Sequence, residues 1–399
     1  MKVLIVTQNF YPENFKGNDI AFELAKRGHK VDVLTGIPNY PAGKYFEGYG
    51  IFKKRNEKMN GVRIMRSFQI PRGKSKPGLV WNYLSFFFFA SIRGFLLAMS
   101  NRYDCVFVQQ TSPIIQAYPA IIVKKLQKIP LYMWILDIWP DSMVSGSGIK
   151  NESVIGIMNG CVKNIYNNCD RILISSKRFA ELIISKGNYS DKLVYFPNWC
   201  EDLLNMTKEE IPKLPEGFII MMAGNLGGAQ KLDMVMNAAL ETKDLKEVKW
   251  VFVGDGSKKK WLEEFAKENH LEETVFTMGR YPFETMPTFF SYANAMLLAL
   301  KSDWPHLKAV VPARLTSYMA AGRPVLAMVD GGSADLINES QCGYSVPADD
   351  YKALANMIRE KVLPDKNRFE KMGENGYKFF EKNFTIDICM NHLEQIIKM

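Results

Sequence analysis

Glycines and a lysine follow a predicted strand in the second half of the chain. The segment Gly224–Lys231 (GNLGGAQK) comes directly after the apolar run Phe218–Ala223 and precedes a helical pattern. Glycines leave backbone N–H groups accessible and a helix N-terminus is partly positive, so such a loop can bind phosphate. Lys231 would add a point charge. A second glycine turn, 254–256 (GDG), follows the next predicted strand, although such glycines often only form a turn.

An arginine lies near the start of another predicted helix, in the segment Val311–Leu315 (VPARL). Pro312 suits the first helical position, where its missing N–H costs nothing. Arg314 would then lie in the first turn, where a cation does not stabilise the helix dipole. This placement indicates an anionic partner, and a guanidinium can bind a diphosphate through two parallel hydrogen bonds.

Polar side chains also follow predicted strands in the first half. Gly17 precedes a helical pattern, where on sequence alone an ordinary helix start with a turn glycine is the better explanation than a close approach to a ligand. Tyr40 lies in a loop rich in proline and glycine (PNYPAG), which either shapes a substrate pocket or only turns the chain. Asp137, followed by Trp139, is a candidate for catalysis or acceptor binding. Asp141 is a better candidate for capping the next helix.

The elements that must position these residues alternate along the whole chain. Short apolar runs alternate with amphipathic stretches, which predicts an α/β fold with parallel, doubly wound sheets. The pattern stops over Trp199–Pro215, a predicted linker, and a chain of 399 residues exceeds one hydrophobic core. The sequence therefore predicts two Rossmann-like domains. The predicted strands are Lys2–Thr7, Val31–Thr35, Val62–Arg66, Cys105–Gln109, Leu131–Leu136, Arg171–Ser175, Phe218–Ala223, Lys249–Val253, Val275–Met278, Ala295–Leu300 and Pro324–Met328.

One apolar segment, Leu79–Met99, approaches the length that spans a bilayer. A spanning helix would separate Val62–Arg66 from Cys105–Gln109, although both strands belong to one predicted sheet, so spanning is excluded. Two alternatives stay open: a buried core helix, or a surface helix whose apolar face lies in the lipid headgroups. Basic residues flank the segment at Arg72, Lys74, Lys76 and Arg102.

Composition excludes several classes of protein. The chain has six cysteines without a CxxC pair and four histidines, which disfavours a zinc site and a disulfide framework and fits a reducing cytosol. The first strand is too short for a signal peptide, and no GxGxxG follows it, which disfavours a nicotinamide or flavin enzyme. The net charge of +9 fits nucleic acid, an anionic membrane or a polyphosphate substrate. Scattered lysines without an aromatic-basic motif disfavour nucleic acid.

Taken together, these segments resemble the retaining family-4 glycosyltransferases of the GT-B fold, in which two Rossmann-like domains face a central cleft. The resemblance is greatest to the bacterial O-antigen and capsule branch that includes fucosamine transferases, and it covers nearly the whole chain. It implies domains at 1–200 and 216–381, with 382–399 crossing back to the first domain. The segments that carry it are QNFYPE (8–13), LAKRGHKVDVLTGIPNYPAGKYFEGY (24–49), DIWPDS (137–142), GNLGGAQKL (224–232), VGDG (253–256) and VPARLTSYMAAGRPVLA (311–327).

The resemblance implies transfer of a sugar from a nucleotide-diphosphate donor, with a UDP-sugar favoured, and with retention of anomeric configuration. Arg314 and Lys231 would stabilise the diphosphate, Arg280 and Tyr281 would bind the base, and Asp137 would join the catalytic set. Gly17, Tyr40 and Trp139 would contact the acceptor. The remaining implied donor-binding residues are Gly224, Asn225, Leu226, Gly227, Gln230, Gly254, Asp255, Gly256, Pro312, Leu315 and Ser317.

The chain departs from the family pattern at two places. Ala309 and Ser317 stand where the wider family has a Glu-x7-Glu element that binds the donor ribose. Gly228 stands where an arginine is common, and Lys231 would substitute for it. A DxD metal motif is missing, so no metal or other cofactor is expected. Same-face attack assisted by the departing phosphate is favoured over a two-step displacement by paired carboxylates.

The expected partners are the nucleotide-sugar donor, a polyprenyl-diphosphate-linked or glycan acceptor, and the inner leaflet of the membrane if the apolar helix is interfacial. The expected location is the cytoplasm. If the apolar helix is interfacial, the protein is expected to associate peripherally with the inner membrane. Two alternatives remain: another GT-B enzyme such as a UDP-sugar epimerase or a phosphorylase, and a non-enzymatic membrane-associated protein of polysaccharide assembly.

Overall fold

The chain divides into two compact units. The computed structural model describes residues 1–398. Met1–Phe196 and the residues from Met390 onward form the first unit, and Pro197–Cys389 form the second. The sequence implies a first domain that ends at residue 200 and a second that covers 216–381, whereas the second unit extends from Pro197 to Cys389 and so includes the predicted linker.

The first unit is built on an eight-stranded sheet. The strands are β1 (Lys2–Val6), β2 (Lys30–Gly36), β3 (Asn56–Met59), β4 (Val62–Ser67), β5 (Cys105–Gln110), β6 (Leu131–Ile135), β7 (Arg171–Ile174) and β8 (Leu193–Tyr195). Their spatial order is β3-β4-β2-β1-β5-β6-β7-β8, and all neighbours run parallel except β3 and β4, which are antiparallel. The helices are α1 (Lys16–Lys26), α2 (Lys76–Ser100), α3 (Tyr118–Gln127), α4 (Asp141–Ser147), α5 (Glu152–Asn168) and α6 (Phe179–Ile184).

The predicted strands of this unit are confirmed, and two more strands occur at the edges. Side chains of the central strand β1 are fully buried from Val3 to Val6, as expected for a parallel strand covered by helices on both faces. The additional strands β3 (NEKM) and β8 (LVY) are polar or very short, so they lack the apolar run that marks a buried strand.

Helix α2 is longer than the predicted apolar segment and has an unusual distribution of side chains. Ser75 caps it, with Oγ accepting from the N–H of Gly78 at 3.1 Å. The buried face carries the polar residues Asn82 and Ser85 and several small residues beside Phe86 and Leu97, and Gly94 allows the backbone of Pro119 to approach closely. The opposite face exposes Val80, Trp81, Leu84, Phe88, Phe89, Ile92, Phe95, Leu96 and Met99. A helix buried on all sides is therefore excluded.

Helix α2 is also the one helix within residues 1–398 that is long and apolar enough to cross a membrane. However, its neighbours along the chain, β4 and β5, belong to the same sheet. This arrangement agrees with the exclusion of a spanning helix on sequence grounds.

The second unit is built on a six-stranded parallel sheet. Its strands are β9 (Phe218–Ala223), β10 (Val248–Val253), β11 (Val275–Gly279), β12 (Ala295–Ala299), β13 (Val325–Met328) and β14 (Gly343–Val346). Their spatial order is β11-β10-β9-β12-β13-β14, so the strand order reverses between β9 and β12. The helices are α7 (Leu232–Glu241), α8 (Lys259–Glu268), α9 (Met286–Tyr292), α10 (Pro305–Ala309), α11 (Ala313–Ala320), α12 (Gly332–Ser340), α13 (Tyr351–Met357) and α14 (Lys366–Asn383). The last helix, α15 (Ile386–Lys398), contains the division between the units and belongs to the first unit from Met390 onward.

The segment predicted to be a linker packs on the second unit. Leu203 and Leu214 are buried in a core that also contains Phe380 and Phe384 from the end of α14. The backbone N–H of Cys200 donates to the carbonyl of Phe384 at 3.0 Å. The segment lacks helical or strand periodicity, and for that reason its buried leucines were not predicted.

Candidate functional site

Two glycine turns meet at the carboxyl end of the second sheet. Gly224 follows β9 with φ +117°, and Gly254 follows β10 with φ +149°, both conformations that favour glycine. A Cβ on Gly254 would lie 1.9 Å from the carbonyl oxygen of Gly224. A Cβ on Gly256 would lie 2.4 Å from the oxygen of Leu226. Close contact between the two turns therefore requires these glycines.

A cavity of about 340 Å³ opens beside these turns. It lies beyond the carboxyl ends of β9, β10 and β11, on one side of the point where the strand order reverses, the usual ligand position in open α/β sheets. The ring of Tyr281 packs against Phe289 at 4.9 Å between centroids. The lining brings together six residues implied by the sequence and two that were not predicted: Gly224, Asn225, Gly254, Asp255, Arg280 and Tyr281, with Val253 and Met286.

Arg314 lies against the same glycine turn. Its Nη2 donates to the carbonyl oxygen of Asn225 at 3.4 Å. Its Nη1 is buried and makes no hydrogen bond of good geometry among residues 1–398, although the guanidinium lies near the Tyr318 hydroxyl. A buried donor without a well-formed hydrogen bond costs free energy, so this nitrogen is suited to an anionic ligand. Pro312 is the N-cap residue of α11 instead of its first helical residue, because its ψ of 145° is extended.

Lys231 is paired with a carboxylate instead of lining the cavity. It precedes α7 in a left-handed conformation, with φ +46°, so it is not part of the helix's first turn. Its Nζ lies 2.9 Å from Oδ1 of Asp349. The hydrogen bond to Asp349 raises the pKa of Lys231 and keeps it charged. The lysine therefore fixes the turn to a distant loop.

The remaining residues implied for the donor site support the turn or the core. The N–H of Gly227 donates to Oε1 of Gln230 at 3.0 Å, which closes the loop before α7. Leu226 and Leu315 are fully buried. Ser317 donates to the carbonyl of Ala313 within its own helix and contacts Sγ of Cys200 at 3.3 Å.

A polar cavity of about 300 Å³ lies at the carboxyl end of the first sheet, where β1 and β5 adjoin. An amide network underlies it: Nε2 of Gln8 donates to Oε1 of Gln69 at 3.0 Å and to Oδ1 of Asn82 at 2.8 Å. The lining residues are Gln8, Asn9, Phe15, Asn39, Tyr40, Arg72, Asn82, Tyr83, Thr111 and Ser112. Amide groups beside aromatic rings can hydrogen-bond a hydroxylated ligand and pack against it.

The acceptor residues implied by the sequence occupy different positions around this cavity. Tyr40 lines it. Ser112, which also lines it, donates to Oδ2 of Asp137 and accepts from Nε1 of Trp139 at 3.1 Å, so these two residues adjoin the lining through Ser112. Gly17 is the second residue of α1, whose N-cap is Phe15. A Cβ on Gly17 would lie 1.9 Å from Oε1 of Gln109, so Gly17 permits close packing and does not line the cavity.

Glu13 is a buried carboxyl behind the same cavity that was not predicted as a functional residue. Its Oε1 accepts the N–H groups of Asn39 and Tyr40 at 2.7 and 2.6 Å, and its Oε2 accepts the N–H of Phe10 at 3.2 Å. Burial raises the pKa of Glu13 to about 7, against the opposing effect of these hydrogen bonds. Its only signal in the sequence is its place in QNFYPE.

Within residues 1–398, no group of three or more His, Cys, Asp or Glu side chains is placed to hold a metal ion.

Comparison with known proteins identifies the class of this chain. Residues 18–199 match the family model described as glycosyl transferase 4-like domain, and residues 206–379 match the model described as glycosyl transferases group 1. The chain is therefore a glycosyltransferase, composed of a 4-like domain followed by a group 1 domain.

A curated relative and two solved structures are also similar. The chain is 24% identical over 341 residues to WcaI of Escherichia coli (strain K12), named "Putative colanic acid biosynthesis glycosyl transferase", covering 81% of this chain and 82% of that protein. Anabaena HepE in complex with UDP aligns over 100% of both chains at TM-score 0.73 and 15% identity. Sucrose-phosphate synthase of Thermosynechococcus elongatus aligns over 100% of this chain and 98% of its own at TM-score 0.75 and 16% identity. The fold is GT-B.

Proposed function

We propose that this enzyme transfers a sugar from a nucleotide-diphosphate donor, with a UDP-sugar favoured, to a lipid-linked or glycan acceptor in surface polysaccharide biosynthesis, with retention of configuration. One observation carries the proposal: Nη1 of Arg314 is buried and makes no hydrogen bond of good geometry in the described chain, beside the glycine turn of the second-unit cavity. A diphosphate oxygen would satisfy this nitrogen.

The other groups of the cavity suit a nucleotide. Tyr281, supported by the ring of Phe289, offers an aromatic surface for a base, and Arg280 adds a planar cation beside it. Gly224 and Gly254 line the cavity and, without side chains, leave their backbone accessible to a ligand. The structure of HepE contains UDP, which supports a uridine nucleotide as the donor.

The chemistry assigned to this cavity is electrostatic. Negative charge develops on the diphosphate as the glycosidic bond breaks, and Arg314 with the N–H groups of the glycine turn would stabilise it. Asp255 is the one carboxylate among the residues that line the cavity. A double displacement of the kind that retaining glycosidases use needs two carboxylates. We therefore assign same-face attack assisted by the departing phosphate, with no step assigned to a metal ion.

The acceptor would bind the polar cavity of the first unit, with Asp137 as the candidate residue that orients or deprotonates its hydroxyl. The name of WcaI, which refers to colanic acid biosynthesis, supports a surface polysaccharide as the product. The exposed apolar face of α2 supports a cytoplasmic enzyme that associates peripherally with the inner membrane.

A thermal-shift panel followed by turnover assays tests the donor site. We expect UDP to raise the melting temperature more than GDP or ADP, because a ligand that binds only the folded state stabilises it. Arg314→Ala should lose both this shift and turnover, whereas Arg368→Ala, an exposed arginine of the same unit, should keep both. Retained turnover in Arg314→Ala would remove this residue from the diphosphate.

The product distinguishes the alternative activities. With a UDP-sugar and a polyprenyl-diphosphate-sugar acceptor, we expect a glycosylated lipid whose new linkage keeps the donor's anomeric configuration. An epimerised nucleotide sugar formed without acceptor would identify an epimerase instead.

A further inference from the structure

A basic cavity adjoins the polar cavity of the first unit, at the N-terminal end of α2. Its volume is about 430 Å³. Three cationic residues, Arg72, Lys74 and Lys76, contribute to its lining, together with Tyr40, Pro41, Gly73, Ser75 and Leu79. This lining contains no carboxylate, and the first turn of α2 contains no acidic residue. The cavity is therefore suited to a polyanion.

The backbone around these cations is held in place by the neighbouring loop. The N–H of Arg72 donates to Oδ1 of Asn39 at 2.9 Å, and the N–H of Gly73 donates to the carbonyl of Gly43 at 2.9 Å. A Cβ on Gly43 would lie 2.5 Å from the oxygen of Gly73, so the two loops are in close contact. The guanidinium of Arg72 lies over the ring of Tyr40 at 5.3 Å. Hydrogen bonds and close packing between the two loops therefore define this cavity, which does not depend on the lysine side chains alone.

Three chemically distinct surfaces follow one another at this place. Tyr40 and Arg72 line both the polar cavity and the basic cavity, so the two share a wall. Leu79, which belongs to the lining of the basic cavity, is followed along α2 by Val80 and Trp81, the first residues of the exposed apolar face. The order is amides and aromatic rings, then cations, then a strip of large apolar side chains.

We propose that the basic cavity binds the phosphate groups of a membrane-embedded, lipid-linked acceptor. Its sugar then occupies the polar cavity, and its hydrocarbon chain lies along the exposed face of α2. This inference rests on the proposed function and specifies its acceptor as a lipid-linked sugar phosphate or diphosphate. The order of the three surfaces matches the order of sugar, phosphate and lipid in such a molecule, and its lipid end keeps it in the bilayer into which α2 inserts.

The test measures binding of the full-length protein to three kinds of vesicle: phosphatidylcholine alone, and phosphatidylcholine with either phosphatidylglycerol or a polyprenyl diphosphate at matched surface charge. The variant is Lys74→Gln/Lys76→Gln. Its matched control is Lys125→Gln/Lys128→Gln, two exposed lysines of the same unit. Wild-type protein should prefer the polyprenyl diphosphate vesicles over the phosphatidylglycerol vesicles.

We expect Lys74→Gln/Lys76→Gln to weaken binding to polyprenyl diphosphate vesicles by about 30-fold more than binding to phosphatidylglycerol vesicles. The reason is that two charge-assisted hydrogen bonds to the diphosphate, worth about 1 kcal/mol each beyond the general surface attraction, are lost only there. The ratio of the variant's affinities for polyprenyl diphosphate and phosphatidylglycerol vesicles should fall toward one. The control variant should keep the wild-type ratio. A wild-type preference of one, or a preference unchanged by the substitutions at 74 and 76, overturns the proposal.

A second variant tests the apolar face separately. Trp81→Ser/Phe88→Ser should weaken binding to every vesicle while leaving the circular dichroism spectrum and melting temperature unchanged, because both side chains are more than half exposed, at 59% and 56%. Leu240→Ser/Tyr292→Ser, exposed apolar residues of the second unit, is the control. A folded Trp81→Ser/Phe88→Ser protein that binds vesicles normally contradicts the lipid contact. If this variant does not fold, the vesicle preference of Lys74→Gln/Lys76→Gln tests the proposal by itself.

Two further measurements separate the possible origins of a failure. Inorganic diphosphate should compete poorly with the vesicles; equal competition would show that a free phosphate is the ligand and would overturn the lipid assignment. The UDP thermal shift is recorded on every preparation. An intact UDP shift with no vesicle preference defeats this inference alone, whereas absence of a UDP shift in wild-type protein defeats the proposed function.

Discussion

Arg314 lies so close to Gly224 that its Nη2 is 3.3 Å from the position a Cβ on the glycine would occupy. The same guanidinium donates to the next carbonyl along the turn. The position of the arginine and the absence of a side chain at residue 224 are therefore coupled.

The first prediction concerns Gly224→Ala, which adds a methyl group at φ +117° and displaces Arg314. We expect UDP affinity to fall about tenfold or more, because strain of this kind costs on the order of 1–3 kcal/mol and the site absorbs part of it. Titration calorimetry with UDP measures the change. Gly228→Ala in the same loop is the control, since a Cβ there meets nothing within 4 Å. Equal losses in both variants would argue against the coupling.

The second prediction concerns the ion pair of Lys231 and Asp349. Because Asp349 is 39% exposed, solvent screens the pair and its coupling free energy should be below about 1 kcal/mol. A double-mutant cycle of Lys231→Gln and Asp349→Asn, followed by urea unfolding, measures this coupling. Lys231→Gln should change UDP affinity by less than about threefold, because the lysine would act on the donor only indirectly. A loss as large as that of Arg314→Ala would mean that Lys231 contacts the donor.

The third prediction is a pH dependence set by Glu13. Its pKa in the folded protein is raised to about 7 from 4.5. The protonated form is thus favoured by folding, and the associated stability is fully present below about pH 4.5 and lost as the pH rises through 7. The free energy of unfolding of the wild type should therefore fall relative to Glu13→Gln, by up to about 3 kcal/mol between pH 4.5 and 8.

Urea unfolding across this pH range measures the difference between the two proteins. Glu13→Gln loses an acceptor for a backbone N–H, so a constant offset at every pH is expected as well. A wild-type curve parallel to that of the variant would contradict the raised pKa.

The fourth prediction concerns Asp137→Asn. The asparagine oxygen can still accept from Ser112, so the wall of the polar cavity should persist. If the carboxylate acts on the acceptor hydroxyl, turnover should fall by about 100-fold or more while the UDP thermal shift is unchanged. Asp141→Asn is the control, because Asp141 pairs with Lys186 at 2.7 Å, whereas Asp137 is the carboxylate that accepts from Ser112. Wild-type turnover in Asp137→Asn would exclude the role.

The parts of this structure that local rules determine were predictable from the sequence. Apolar runs such as Phe218–Ala223 identify the buried strands, and the glycines after β9 and β10 identify the turns that meet at the cavity. Of the edge strands, β11 was predicted, whereas β3, β8 and β14 were not, because β3 is polar, β8 has three residues and β14 (GYSV) has one large aliphatic residue. None of these three carries the apolar pattern of a covered strand.

Pairings between distant residues were not predictable in the same way. Lys231 meets Asp349 across 118 positions, and no local pattern indicates that the lysine is already paired. Glu13 is buried only because the loop at Asn39 and Tyr40 folds over it. The apolar stretch of α2 was recognised, but the face it buries depends on the partners of Asn82 and Ser85, which come from other segments.

The outward apolar residues of α2 have a practical consequence for handling the protein. In lipid-free buffer the strip from Val80 to Met99 is the largest run of exposed apolar side chains on one helix of the described chain. Such a surface favours concentration-dependent self-association, because two copies can cover each other's strip and release water. A mild detergent in the purification buffer should therefore keep the enzyme monodisperse and improve its chances in crystallisation.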